Sequence, residues 1–286
     1  YEPRVPYMYK MVSRFEKEGY VAGVNLRAAT NDFRAMGVSS LVDETFTKLR
    51  FLVEDTYRLN NNQSVHLLSH SLGGPLTNLF LATAVTKEWK DVYIASHIAL
   101  SCPVLGTPEG VYGALTGPKY DYIPQFLPKL IVPMIRSWPS ILWMFPRIGA
   151  NGYNVWRQTN RTNETVVFVK TPSRNYTLND MAELVTNIPG AEVLKQTWAD
   201  VINTTRLATV DPGVKVLCIY ANDTRTAMSV NISDDFDGNI TILKSSWGDG
   251  TVPLVSLESC SRWKNVTAHP VQFGGSFAAH TQIVSD

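Results

Sequence analysis

The sequence predicts an α/β protein: a mostly parallel sheet with helices on both faces. Three observations carry this. Over the first hundred residues, short apolar runs alternate with segments of helical period, as expected for strands joined by crossover helices. The stretch Ser64-Val65-His66-Leu67-Leu68-Ser69-His70-Ser71-Leu72-Gly73-Gly74-Pro75 reads as a buried strand, a hard turn and the start of a helix. A hydrophobic share of 44% over 286 residues is ample for a sizeable core.

The elements follow in order. Met8, Met11, Val12 and Phe15 have helical spacing, and Gly19 ends that helix. Residues 20–26 read as a strand. A long helix runs from Ser39 or Ser40 to about Leu59, with Val42, Phe46, Leu49, Val53 and Tyr57 on its inner face and Asp43, Glu44, Lys48, Arg50 and Glu54 outside. Val65, Leu67 and Leu68 form a central strand, Leu76, Leu79 and Phe80 a helix, and residues 92–100 the next strand. Pro75 suits the first helical turn, where its missing N–H has no partner to lose.

The alternation breaks between Gly106 and Gly152. This stretch is rich in aromatic and aliphatic residues, among them Trp138, Trp143 and Phe145, yet five prolines between residues 124 and 146 forbid one long helix. It reads as an apolar cap inserted over the sheet, with a second core packed on itself as the competing reading. Strands resume at 166–169, 214–220, 240–243 and 271–273, with helices at 179–188, 192–202 and 254–263. The predicted organisation is therefore a first core part (1–105), a cap (106–165) and a second core part (166–286).

The turn at Ser71 carries the chemistry. Its pattern resembles the nucleophile elbow G-x-S-x-G, with Ser69 in place of the first glycine. Such an elbow lifts a hydroxyl clear of the backbone and aims the next N–H, that of Leu72, at a developing oxyanion. A serine needs a base, and the base needs a carboxylate behind it. In an α/β-hydrolase these follow in the order Ser, Asp or Glu, His. Asp249, in Gly248-Asp249-Gly250, is the favoured acid; Asp223, Asp234, Asp235 and Asp237 are expected to be solvated. His280 is the favoured base, after Phe273-Gly274-Gly275-Ser276. His269 is read as lying at the wrong end of a strand, His66 as a core histidine, His97 as mid-strand, and His70 as pointing away from the site.

A net charge of +1 gives no reason to expect a nucleic-acid partner. No apolar run reaches the ~18–20 residues of a membrane span. Glycosylation sequons occur at Asn62, Asn160, Asn163, Asn175, Asn203, Asn222, Asn231, Asn239 and Asn265. That excess argues for passage through the secretory pathway, to the lysosomal lumen or the exterior. Three cysteines fit an oxidising compartment if one pair bridges; three reduced thiols are the alternative.

Three segments together, His70-Ser71-Leu72-Gly73, Gly248-Asp249-Gly250-Thr251-Val252-Pro253 with Cys260 and Trp263, and His280, resemble the lecithin:cholesterol acyltransferase family, in outline its lysosomal phospholipase/acyltransferase branch. Residues 27–34 are similar to that family's Y-D-W/F-R stretch, with Asn31 where tyrosine is usual, and residues 136–146 and 170–177 also match. The resemblance implies an α/β-hydrolase with Ser71 as nucleophile, Asp249 as acid and His280 as base, and a disulfide between Cys218 and Cys260 that leaves Cys102 free. It implies a phospholipid in a membrane or lipoprotein surface as substrate, with no metal or organic cofactor. The family's usual N-terminal loop, which gives the second oxyanion N–H, lies ahead of Tyr1, so a separate N-terminal segment is expected to complete the site. The expected activity is transfer of a fatty acyl group through an acyl-serine to water or an alcohol. A generic secreted esterase and a non-catalytic lipid-binding glycoprotein of the same fold are the rivals.

Overall fold

The computed structural model describes residues 8–117, 127–156, 165–236, 239–276 and 279–285. Helices α1 (Tyr9–Lys17) and α2 (Ser39–Leu59) precede strand β1 (Val65–His70), helices α3 (Gly73–Leu79) and α4 (Lys87–Tyr93), and strand β2 (Ile94–Leu100). Three helices follow: α5 (Pro108–Thr116), α6 (Leu127–Ile135) and α7 (Ser140–Trp143). Then come β3 (Val167–Lys170), β4 (Asn175–Thr177), α8 (Met181–Asn187), α9 (Glu192–Leu207), β5 (Val216–Ala221), β6 (Thr224–Asn231) and β7 (Thr241–Gly248). The chain ends through α10 (Leu254–Leu257), β8 (Val266–Val271) and α11 (Ala279–Gln282).

Two sheets result. The first, in the order β1-β2-β5-β8, is wholly parallel. Parallel neighbours need crossover connections, and helices supply them. Helix α2 shows the expected period: Val42, Phe46, Val53 and Thr56 are buried, while Lys48 pairs with Glu44 and Arg50 with Glu54 in solvent. The second sheet, in the order β4-β3-β6-β7, is mixed. Strand β5 leaves the first sheet at Ala221, and after two intervening residues β6 begins in the second. Its partner β7 returns so that Gly248 lies opposite Thr224. This hairpin therefore starts and ends beside the C-terminal end of β5.

Several expectations need correction. Residues 20–26 form no strand; a single bridge joins Ala22 and Leu26, and Gly19 and Gly23, both at positive φ, fold the segment back on itself. His66 is not in the core. It stands exposed on β1, the edge strand of its sheet among the described residues, with Nδ1 2.7 Å from the Ser96 hydroxyl. The last strand is Val266–Val271 rather than 271–273, and it contains His269, which is exposed. The runs near 166 and 240 are strands, but of the second sheet.

The apolar segment after β2 folds as helices. Val111, Tyr112, Leu115, Ile135, Leu142, Trp143 and Phe145 join one cluster with Phe46, Val53, Leu79 and Phe80, so this segment packs into the main core. Leu130 and Met134 on α6 stay exposed, at 70% and 49%. Cys218 on β5 is bonded to Cys260, and Cys102 is a buried free thiol. Asn62, Asn175, Asn203, Asn231, Asn239 and Asn265 are exposed and Asn222 is half-buried; Asn160, Asn163 and Asp237 lie outside the described residues. No described helix is long and apolar enough to cross a membrane.

Candidate active site

Ser71 sits one residue beyond β1, at φ 52°, in the left-handed region that non-glycine residues rarely adopt. Its N–H donates to the Leu100 carbonyl at the end of β2 (3.0 Å), which fixes the corner to the neighbouring strand. Leu72 immediately precedes α3 as its N-cap residue. The turn is possible because the flanking positions are small. A Cβ on Gly74 would lie 2.0 Å from the Cys102 sulfur, so the helix and the loop after β2 meet there too closely for any side chain. Ser69 is tolerated where the elbow pattern has glycine because its Cβ leaves room, 3.7 Å from a Cβ built on Gly73. Its hydroxyl, buried, also has a partner in His97 Nε2 at 2.7 Å.

Asp249 follows β7 at the root of the hairpin and is wholly buried. One carboxylate oxygen accepts from the N–H groups of Thr251 (3.0 Å) and Val252 (2.7 Å), and the other from His280 Nδ1 (2.7 Å). Gly250, at φ 92°, lets the chain reverse, and its N–H donates to the Thr226 hydroxyl on β6. Burial alone pushes the Asp249 carboxyl up. The charge and hydrogen bond of His280, with the two backbone N–H groups, outweigh it and hold the group below the usual carboxylate range.

His280 is on α11, with its Nε2 2.9 Å from the Ser71 hydroxyl. Since Nδ1–H donates to Asp249, Nε2 is left to accept the hydroxyl proton. The backbone of His280 is held as well: its N–H donates to the Asp249 carbonyl (3.0 Å), and its carbonyl accepts from His70 Nε2 (2.7 Å). The structure thus brings Ser71, His280 and Asp249 into one hydrogen-bonded line, at the ends of β1, β8 and the β6–β7 hairpin. Among the described residues no group of three or more His, Cys, Asp or Glu is placed to hold a metal ion.

The other candidates have different work. Asp223 is half-buried, not solvated, and accepts from the N–H groups of Phe273 and Gly275, both at 3.0 Å, fastening the loop that leads to the base. Its place just past an apolar strand was the available signal for it. Asp234 accepts from Ser173, and Asp235 from Ser233. His70 does not point away: it is buried, with its ring 4.9 Å from that of His280. Burial, then the facing His280, pushes its pKa down to about 4. Burial pushes the Cys102 thiol up to about 12, which leaves it unreactive. Asp32 in the segment 27–34 chelates Arg34, and Phe33 packs edge-on against Trp138.

The family model for lecithin:cholesterol acyltransferase matches residues 2–211. The chain is 29% identical over 267 residues to the lysosomal phospholipase A and acyltransferase of Bos taurus, covering 93% of this chain and 60% of that protein. It is 31% identical over 286 residues to the lecithin-cholesterol acyltransferase-like 1 of Arabidopsis thaliana, covering 98% and 62%. It therefore spans about three fifths of the length of these curated relatives. A chain of the Tle4-Tli4 complex superposes with a TM-score of 0.57 at 12% identity, over 88% of this chain and 66% of that one, a likeness of fold. A parallel sheet crossed by helices, a left-handed corner after its first strand and these matches converge: the chain has the α/β-hydrolase fold and belongs to the lecithin:cholesterol acyltransferase family.

Proposed function

We propose that this chain is a serine-dependent lipid acyl hydrolase and acyltransferase. On this reading it moves a fatty acyl group from a glycerophospholipid to water or to an alcohol. The observation that carries the reading is His280, 2.9 Å from the Ser71 hydroxyl on one side and 2.7 Å from a wholly buried carboxylate on the other.

The steps follow from that line. His280 Nε2 takes the Ser71 proton as Oγ bonds to the acyl carbonyl carbon. The carbonyl oxygen becomes an oxyanion, met by the N–H of Leu72. Asp249 stabilises the resulting imidazolium and holds its tautomer. The tetrahedral centre collapses, the bond to the glycerol oxygen breaks, and the imidazolium proton goes to that oxygen, releasing a lysolipid. His280, neutral again, takes a proton from water or an alcohol as its oxygen attacks the acyl-serine; the second tetrahedral centre collapses, the bond to Oγ breaks, and the imidazolium returns its proton to Oγ, freeing Ser71 and releasing the fatty acid or ester. The family supports a lipid acyl donor, as do relatives named phospholipase A and acyltransferase. The disulfide and the exposed sequon asparagines support a route through the secretory pathway.

A fluorophosphonate probe tests the reading. Stoichiometric labelling of Ser71, lost in Ser71→Ala, is expected. Phospholipid vesicles offered with and without a long-chain alcohol should yield free fatty acid and the corresponding ester. An intact, folded protein that neither labels nor turns over phospholipid would refute it.

A further inference from the structure

We propose that His70, next to the nucleophile in sequence, is a positioning residue for the base: its Nε2–H holds the backbone carbonyl of His280 while its ring supports the His280 ring. The inference rests on Ser71, His280 and Asp249 being the reacting set.

The geometry sets this role apart from ordinary core packing. His280 lies in the short helix α11, near the end of the chain, four residues after Ser276. Its N–H and Nδ1–H both go to Asp249, so those two bonds tie it to the hairpin loop and not to the sheet that carries Ser71. The 2.7 Å bond from His70 Nε2 to the His280 carbonyl ties it to β1. His70 is the last residue of that strand and the residue before Ser71. One short rigid segment therefore fixes both the nucleophile and the base. A drift of the base relative to the hydroxyl must stretch this bond. The rings lie 4.9 Å apart at an interplanar angle of 47°, so a tilt of the imidazole towards β1 brings it against His70.

The proton inventory fits the same role. A ring nitrogen facing a carbonyl must carry its hydrogen, so Nε2 is the donor. Among the described residues, His280 and Asp249 are charged and titratable groups acting on His70, and with its pKa lowered by burial to about 4 the ring stays neutral at neutral pH.

The test compares three variants of the intact protein. His70→Leu removes the donor and keeps the bulk. His70→Gln offers an amide N–H at similar reach. His70→Asn offers the same chemistry one methylene short. Two readouts are used on protein shown folded by circular dichroism: the rate of fluorophosphonate labelling at Ser71, and the far-downfield proton resonance of His280 Nδ1–H. Leu and Asn should slow labelling about 10- to 100-fold and shift or broaden the resonance. Gln should stay within about threefold of the parent rate with the resonance in place. Should the Leu variant not fold, Gln against Asn decides. Parent-like labelling and an unmoved resonance in folded Leu or Asn protein overturn the inference. A parent protein that does not label at all sinks the acyl-serine reading instead, and the resonance then judges the positioning role by itself.

Discussion

At Asp249 two influences oppose each other. Removal from water favours the neutral acid, while the facing His280 imidazole and two backbone N–H donors favour the carboxylate. The donors prevail, so the group is an anion with no solvent to stabilise it. Asp249→Asn keeps the shape but replaces an acceptor with a group that can also donate, letting His280 turn its tautomer. Labelling of Ser71 is expected to fall about 10³- to 10⁴-fold with little change in folding. Behind the elbow, Ser69 and His97 form a buried pair, and His97 Nδ1 has no partner among the described residues. Ser69→Gly restores the glycine of the elbow pattern, yet strips the His97 ring of its hydrogen bond to Ser69. A loss of about 1–3 kcal/mol in urea unfolding is expected. The serine was legible as a tolerable departure; its partner was not, because nothing in a strand's alternation tells which buried histidine meets which hydroxyl. His70 was misread for a related reason. The periodicity of β1 says which face a side chain takes, not what a segment 210 residues later brings to that face.

Among the elements, three of the four parallel strands were legible because Val65–His70, Ile94–Leu100 and Val216–Ala221 are dense in apolar residues, whereas the exposed β8 is not. Strand β6 was not. Its buried positions include Thr224, Thr226 and Ser229, so the inward face carries hydroxyls and the hydrophobic period vanishes. Those hydroxyls are structural: Thr226 receives the Gly250 N–H, and Ser229 donates to the Val167 carbonyl. Residues 20–26 misled in the opposite way. Tyr20, Val21 and Val24 have strand character, but two glycines at positive φ and the lack of a pairing strand among the described residues leave them exposed. The Cys218–Cys260 bond closes a loop of 42 residues that contains the whole β6–β7 hairpin and Asp249. Replacing both cysteines by serine should lower stability by about 2–4 kcal/mol, read from the denaturant midpoint. It should also make the hairpin loop more sensitive to protease than β1 and β2.

For the molecule as a whole, acid acts first through histidines. His70 and His97 are both pushed by burial from 6.5 to about 4, so the native state refuses protons that the unfolded chain accepts. Above pH 6.5 neither contributes. Between 6.5 and 4 each lowers stability progressively, by about 3 kcal/mol in total per group. Asp249, held below the usual carboxylate range, has the other sign of dependence. Its contribution is present above that range and is lost only as pH falls through its lowered value. Denaturant midpoints should therefore decline from about pH 6.5, before carboxylates titrate, and His97→Gln should flatten the decline by about one proton. The same burial has a consequence for the fluid in which the protein works. Counter-ions approach a charge only where water does, and the Asp249 carboxylate is 0% exposed. Raising the ionic strength from about 0.05 to 0.5 M should leave the pH profile of Ser71 labelling in place. The reacting line would then be indifferent to salinity, whatever the salt does to the lipid surface outside.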